Sequence, residues 1–430
     1  MILFQNPASA LMENYRLLLI ISLVFTSFLL WDAWQRFQQA KAVPPPSSVS
    51  TATLPAGSTP HSAEAVPTVP GATGAAKPDV LSQGQKIRVS TDVLRVELDT
   101  LGGDMRKVTL VRYPLDLKEP QVGVTLLDDS DTRLFILQSG WLAPGAPTHN
   151  SVYTAAQSSY QLQSGANELQ VRLIWQGDGL EVAKIYTFKR GSYQVDLSHE
   201  VRNLGTQAWQ GREYRQLQRT PATELHQNAM IYTYMGGVIY NPQDKYLRVS
   251  FDDMQGQNLA KDTAQGWAAM VQHYFLAALI PAADQINHYY TKALAGNRYV
   301  LGLVAPQTEV APGQIQTTHT TLYLGPKLQD ELGQIAKGLE LTIDYGILTI
   351  IAEPMFWLLK WLYHLVGNWG WAIVLITVLI KLAFYKLSET SYKSMAHLRQ
   401  VQPKLQALKE RYADDKEKFN QAMMELYRKE

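Results

Sequence analysis

The sequence predicts a membrane protein built around an all-β sandwich, and three observations carry that reading. Apolar residues concentrate near residue 20 and again between residues 347 and 387, in runs of the kind that enter a bilayer. Between them, from about Lys86 to Ala336, apolar and polar residues alternate with period two, the mark of half-buried antiparallel strands. After the second concentration the spacing changes to threes and fours and the residues become charged, as in paired amphipathic helices.

The first element is an anchor helix. Arg16 to Trp34 reads RLLLIISLVFTSFLLWDAW and carries no charge from Leu17 to Trp31. That approaches the ~20 residues a helix needs to cross a bilayer. A cleaved signal peptide is the alternative, but the small pair Ala40 and Ala42 lies well beyond the apolar run. Residues 1–37 are therefore read as a cytoplasmic N-terminus and first span. Residues 38–85 are rich in Pro, Ser, Thr, Ala and Gly and nearly devoid of large apolar groups. Such a segment buries too little surface to offset its backbone entropy, so a disordered tether is expected.

Residues 86–345 form the expected sandwich. In LRVELD, Leu94, Val96 and Leu98 alternate with Arg95, Glu97 and Asp99. Leu169, Val171, Leu173 and Trp175 share one side of a second run, and Tyr193, Val195, Leu197 and Val201 one side of a third. Gly, Asn, Asp and Pro turns separate the runs, which suits a sandwich. Short helices are expected to decorate it, one in GWAAMVQHYFLAAL (Gly266–Leu279) and one at Leu328–Lys337.

Residues 346–367 read as an amphipathic helix. Glu353, Lys360 and His364 fall on one narrow stripe of an otherwise apolar helix, and Trp357 and Trp361 join an aromatic belt. Such a helix suits the membrane interface, with its polar edge towards water and headgroups. A buried core helix of the sandwich is the alternative. Gly367-Asn368 breaks the chain, and residues 368–387 form the second span.

Lys381 stands inside that span. A charge at the centre of an inserted helix costs about 2.5–3.5 kcal/mol. Two readings are open: the ammonium snorkels to the cytoplasmic headgroups near Lys386, or it faces a hydrated cavity. Thr377, one turn earlier on the same face, adds a second polar group to such a cavity. A hydrated pocket open to the cytoplasm and to lipid would lower the desolvation barrier for a polar segment, and a cation in it would attract acidic residues.

Residues 388–430 read as an antiparallel helical hairpin. Leu398, Val401, Leu405, Leu408 and Tyr412 make one seam, Ala413-Asp414-Asp415 a turn, and Phe419, Met423 and Leu426 the second seam. Pro403 is expected to bend the first helix. From Lys386 to Glu430 there are ten Lys and Arg against seven Asp and Glu. Positive flanks stay in the cytoplasm, so the amino terminus is expected inside and the sandwich outside. Lys404, Lys409, Arg411, Lys416 and Lys418 are candidates for docking ribosomal RNA or anionic lipid; a solvated coiled-coil face is the plainer alternative.

Composition excludes several function classes. The chain has 430 residues, a formal net charge of +1 and no cysteine. No disulfide, thiolate metal site or cysteine nucleophile is possible. The sequence has no P-loop, no HExxH and no triad-like spacing among its histidines, so neither a nucleotide, a cofactor nor a metal is expected, and an enzyme is not.

Taken together, the anchor, LDTLGGDM (Leu98–Met105), GWAAMVQHYF (Gly266–Phe275), LGPKLQD, LTIDYG, VGNWG (Val366–Gly370) and QPKLQALKERYADDKEKFNQAMMELYRKE resemble the YidC-type membrane protein insertases of Gram-negative bacteria. The resemblance runs from Met12 to Glu430. It implies a periplasmic β-supersandwich and an inner-membrane protein that inserts and helps fold membrane proteins, alone or with the Sec translocon. It also implies a groove with one positive residue, which falls on Lys381 where the family has arginine. Lysine keeps the charge and loses the planar five-donor fork. The implied partners are nascent membrane proteins, the Sec translocon and its accessory proteins, the ribosome or targeting receptor, and the bilayer, with no small-molecule substrate. The family has three further spans after the hairpin, so the chain reads as a partial version. Two other readings are carried: a membrane-anchored periplasmic carbohydrate-binding or mutarotase-like protein, by fold analogy, and a structural docking module for the translocon.

Overall fold

The structure is a computed structural model and describes residues 83–130, 133–221, 234–343, 348–412 and 416–429. The expected anchor and nearly all of the expected tether lie outside the described residues.

The first strands are β1 (Lys86–Ser90), β2 (Leu94–Asp99), β3 (Met105–Pro114), β4 (Gly123–Ser130), β5 (Arg133–Leu142), β6 (Thr154–Ala155) and β7 (Ser159–Gln161). Then come β8 (Glu168–Gly177), β9 (Leu180–Lys189), β10 (Gln194–Asn203), β11 (Trp209–Arg219), β12 (Gly236–Asn241) and β13 (Lys245–Val249). The last are β14 (Ala260–Thr263), β15 (Trp267–Val271), β16 (Phe275–Pro281), β17 (Asn287–Leu294), β18 (Arg298–Val310) and β19 (Ile315–Pro326). They build two sheets, one in the order β14-β17-β18-β11-β5-β4-β3-β2-β1-β7, the other β13-β12-β15-β16-β19-β10-β9-β8-β6. All pairings are antiparallel except β1 with β7.

Period two explains the core. Leu94, Val96 and Leu98 of β2 are buried while Arg95 is exposed, and Val195, Leu197 and Val201 of β10 point inward with them. Both sheets contribute to one apolar cluster. The LDTLGGDM stretch is the turn from β2 to β3. Gly102 has φ 80°, and a Cβ there would meet the His149 carbonyl oxygen at 2.5 Å, so only glycine fits.

One expectation fails. Gly266–Leu279 is not helical: it is the hairpin β15–β16, paired from Ala268 with Leu279 to Val271 with Leu276. Both strands are central, so burial on both faces erases the alternation. Alanine in such a strand gives close packing rather than a helix, and Gln272–Tyr274 supplies the turn.

Six α-helices are described: α1 (Phe251–Gly256), α2 (Gln329–Ile335), α3 (Thr349–Val366), α4 (Trp369–Ala383), α5 (Tyr385–Arg411) and α6 (Lys416–Lys429). The expected helix at Leu328–Lys337 is α2. A 3-10 turn at Leu339–Thr342 follows it, with Leu339 and Thr342 buried.

Candidate functional site

The chain enters the site through the corner Val366-Gly367-Asn368-Trp369. Gly367 takes φ 65° and closes α3, its N–H donating to the Tyr363 carbonyl at 2.7 Å. Asn368 is extended, and its Oδ1 accepts from the N–H groups of Gly370 and Trp371 at the start of α4. The Tyr363 and Trp369 rings stack across the corner at 4.1 Å. Leu362 of α3 packs on Ala372 and Ile376 of α4, and these three are buried.

With about 100° per residue, α3 has three faces. One packs on α4. A second exposes Ile350, Trp357, Trp361 and Leu365. The third carries Glu353, Lys360 and His364, the polar stripe the sequence predicts. Glu353 and His364 are exposed. Lys360 has a partner in the protein: its Nζ lies 2.6 Å from both oxygens of Asp330 in α2, with the Phe356 ring beneath it. This ion pair links the amphipathic helix to the end of the sandwich.

Lys381 and Thr377 share the face of α4 roughly opposite Ala372 and Ile376, so both point away from α3. Thr377 donates its hydroxyl proton to the Ile373 carbonyl at 2.7 Å, which leaves it only as an acceptor. The helix expected to run to Leu387 ends at Ala383, and α5 leaves at 61°. No single described helix is long and apolar enough to cross a membrane; α4 and α5 pass that test together, as a bent pair.

Lys381 borders a concavity of about 620 Å³ at this bend, with Ile380, Phe384, Tyr385, Ser388, Glu389, Tyr392 and Lys393. Glu389 holds Lys393 at 2.7 Å and Lys386 at 3.9 Å. Sequence reasoning missed these neighbours. The repeat of four through 381, 385, 389 and 393 was available, but a straight span to Leu387 hid it.

Val401 of α5 is buried, and Leu405 and Leu408 of α5, Tyr412 just after it, and Phe419, Met423 and Leu426 of α6 are half-buried; the Leu398 side chain and the expected turn at 413–415 lie outside the described residues. Tyr385–Arg411 runs through Pro403 as one helix. Lys404, Lys409, Arg411 and Lys418 are on the outer face, away from Lys381; the Lys416 side chain lies outside the description.

A second polar cluster is sealed inside the sandwich. Lys184 of β9 donates to the carbonyls of Gly102 at 2.5 Å and Ser139 at 2.7 Å, and lies 3.9 Å from Asp104. Tyr186 donates to the Gly103 carbonyl. Burial lowers the Lys184 ammonium to about 8 and raises the Asp104 carboxyl to about 6, against the pull of Arg106 and Lys184. Beside them Ser139, His199 and Glu213 stand in line, with Oγ to Nε2 at 3.2 Å and Nδ1 to Oε1 at 2.6 Å. That order has the form of a hydrolytic relay. Arg215 and Thr318 also engage Glu213, and all these side chains are buried, so no substrate reaches them. Despite the cost of its burial, the ion pairs and hydrogen bonds hold Glu213 at about 2. Its role is structural.

Two family profiles match in succession: the YidC periplasmic domain over residues 86–358 and the 60Kd inner membrane protein over residues 361–430. Relatives named membrane protein insertase YidC align over 97% of this chain. The protein of Nitrosococcus oceani is 45% identical over 77% of its own length, and that of Alkalilimnicola ehrlichii 44% over 75%. This chain belongs to the YidC family. Its YidC periplasmic-domain match covers the sandwich, and the two profiles meet within α3, the helix that Asp330 and Lys360 tie to the sandwich. Among solved structures, a galactose mutarotase related enzyme from Lactobacillus acidophilus is similar at a TM-score of 0.37 and 7% identity, over 56% of this chain and 97% of that one. A galactose mutarotase-like protein from Lactobacillus casei gives 0.38 and 8%, over 56% and 99%.

Proposed function

We propose that this chain serves membrane protein insertion at the inner membrane, with Lys381 as the cation that receives the incoming segment. Kinship with the YidC insertases supports the activity. The observation that carries the site is the placing of Lys381 on the face of α4 turned from α3, at the rim of an open concavity. The ammonium attracts acidic side chains of a nascent segment, and water around it lets that segment leave the cytoplasm in stages. Each stage costs less than moving the polar group through hydrocarbon in one step. No bond is made or broken.

In this reading residues 1–37 hold the first span, residues 38–85 tether it to a periplasmic sandwich at 86–345, and the helix at 346–367 lies in the outer interface. Residues 368–387 cross the membrane and 388–430 form the cytoplasmic hairpin. The 15 residues of α4 reach roughly 22 Å at 1.5 Å per residue, less than a ~30 Å hydrocarbon core, so the start of α5 completes the crossing. The Sec translocon and the ribosome are the partners this topology serves.

Because the chain has no native cysteine, single cysteines give a direct test. In inverted membrane vesicles, cysteines at 377 and 381 react with an impermeant maleimide, and those at 375 and 379 do not. Equal protection at all four positions leaves only snorkelling and removes the groove. At an effective dielectric constant of ~20 an ion pair at about 5 Å is worth roughly 3 kcal/mol before screening. Lys381→Glu therefore lowers insertion of an acidic segment by about tenfold or more, while Lys381→Arg preserves it.

A further inference from the structure

The end of the sandwich nearest α3 carries a second apolar surface that the site does not use. The loop from β3 to β4 exposes Leu115, Leu117 and Val122, with Leu117 90% and Leu115 71% accessible. Tyr274, 68% accessible, tops the β15–β16 turn. Scattered exposed leucines are ordinary on a protein surface. These four are not scattered. Tyr113, at the base of the loop, packs its ring on Phe275 at 5.6 Å and on Tyr193 at 6.2 Å. Phe275 pairs with Pro326, and the Tyr274 carbonyl accepts from Lys327, the residue that leads into α2. In the first turn of α2, Asp330 holds Lys360 of α3. Loop, aromatic cluster, α2 and α3 therefore form one continuous end of the molecule.

The loop is also preformed. The Leu115 N–H donates to the Val122 carbonyl, Val122 to Glu119 and Glu119 to Asp116, and the Asp116 carboxylate caps the Lys118 N–H at 2.9 Å. Pro114 and Pro120 restrict it further. Little entropy remains to be lost when the leucines meet a partner.

We infer that the Leu115–Val122 loop, with Tyr274 beside it, is a second membrane contact of the periplasmic domain, and that its partner is the outer-leaflet lipid next to α3. This rests on the reading that α3 lies in the outer interface. The apolar stripe Ile350, Trp357, Trp361 and Leu365 of α3 and the loop then face one bilayer surface from two points. Asp116, Lys118 and Glu119 are exposed on the loop, so it reaches the headgroup and upper acyl zone and goes no deeper. Two contacts hold the sandwich at a fixed tilt over the membrane, where one helix alone would leave it free to swing.

The absence of native cysteine again makes the test clean. Three single-cysteine variants of the full chain, Leu117→Cys, Ile350→Cys and Gln314→Cys, are labelled with an environment-sensitive fluorophore. They are reconstituted alone in phosphatidylethanolamine–phosphatidylglycerol vesicles, with the sandwich outside. Gln314 lies at the turn before β19, about 40 Å from Pro326 at ~3.3 Å per residue, and reports water. Position 350 tests the reading of α3 by itself. The expected result is blue-shifted emission at 117 and 350, quenched by brominated lipid, and aqueous emission at 314. Aqueous emission at 117 overturns the inference, whatever 350 reports. Shielding at 117 that appears only when a periplasmic protein is added overturns it too, since the partner is then a protein. An aqueous signal at 350 with a lipid signal at 117 removes the reading of α3 and, with it, the two-point contact inferred here, whereas an aqueous signal at 117 with a lipid signal at 350 removes the loop contact alone.

Discussion

Lys184 and Lys381 are both lysines on faces where pattern calls for an apolar residue, and they resolve the charge in opposite ways. Lys184 is buried among carbonyls and a carboxylate, so its donors are used within the protein. Replacing it with methionine leaves two carbonyls without their donor and weakens the pairing of Asp104, at a cost of about 3–5 kcal/mol. Thermal unfolding of the sandwich, followed by near-ultraviolet circular dichroism, checks this. The same core makes stability depend on pH. Burial depresses His149 to about 3, so between its ordinary value near 6.5 and 3 the unfolded chain binds a proton that the folded chain refuses. Stability falls as pH drops through that window. Glu213, held at about 2, contributes stability that is present above its ordinary 4.5 and lost towards 2. Asp104, raised to about 6, acts the other way and stabilises the fold as pH falls from 6 to 3.8. His149→Gln is expected to flatten the acid slope, by up to about 1.4 kcal/mol per pH unit, in denaturation midpoints measured from pH 7 to pH 4.

Among the elements, the corner between α3 and α4 depends on two small residues whose work is local. Asn368→Ala removes an acceptor for two N–H groups and is expected to cost about 1 kcal/mol, read as faster amide exchange at Gly370 and Trp371. The pair Asp330–Lys360 behaves differently. It is partly exposed, and such pairs are worth about 0–1 kcal/mol, so its loss barely changes unfolding. It fixes where α3 lies against α2. Asp330→Lys and Lys360→Asp singly are expected to raise the mobility of a spin label on α3, and the double exchange to restore it. No recovery in the double exchange would mean that other contacts place the helix. The period-two strands and the heptad-like hairpin were legible in sequence because each has one wet and one dry face. The β15–β16 hairpin was not, because both its faces are dry and its alanines read as helix.

For the whole molecule, the sandwich, the bent α4–α5 pair and the hairpin are distinct physical objects on one chain. If the hairpin docks the ribosome, replacing Lys404, Lys409, Arg411, Lys416 and Lys418 by glutamate is expected to reduce ribosome co-sedimentation and to steepen its loss with salt. Unchanged co-sedimentation would identify that face as solvated. The position of Lys381 was legible from one charge in an apolar run. Its neighbours Glu389, Tyr392 and Lys393 were not, because the bend at Phe384 that gathers them has no proline or glycine to announce it.

The sequence alone determined the order of the described parts, strands first and helices after, since hydrophobic period and the Gly-Asn break are properties of neighbouring residues. It also determined the family, through several short motifs occurring in order along one chain. Only the tertiary structure decided which polar groups meet: Lys360 with Asp330, thirty residues away, and Ser139 with His199, sixty away. Such meetings depend on strand register and helix packing, which are set by the shape of the whole core and leave no local trace in the chain.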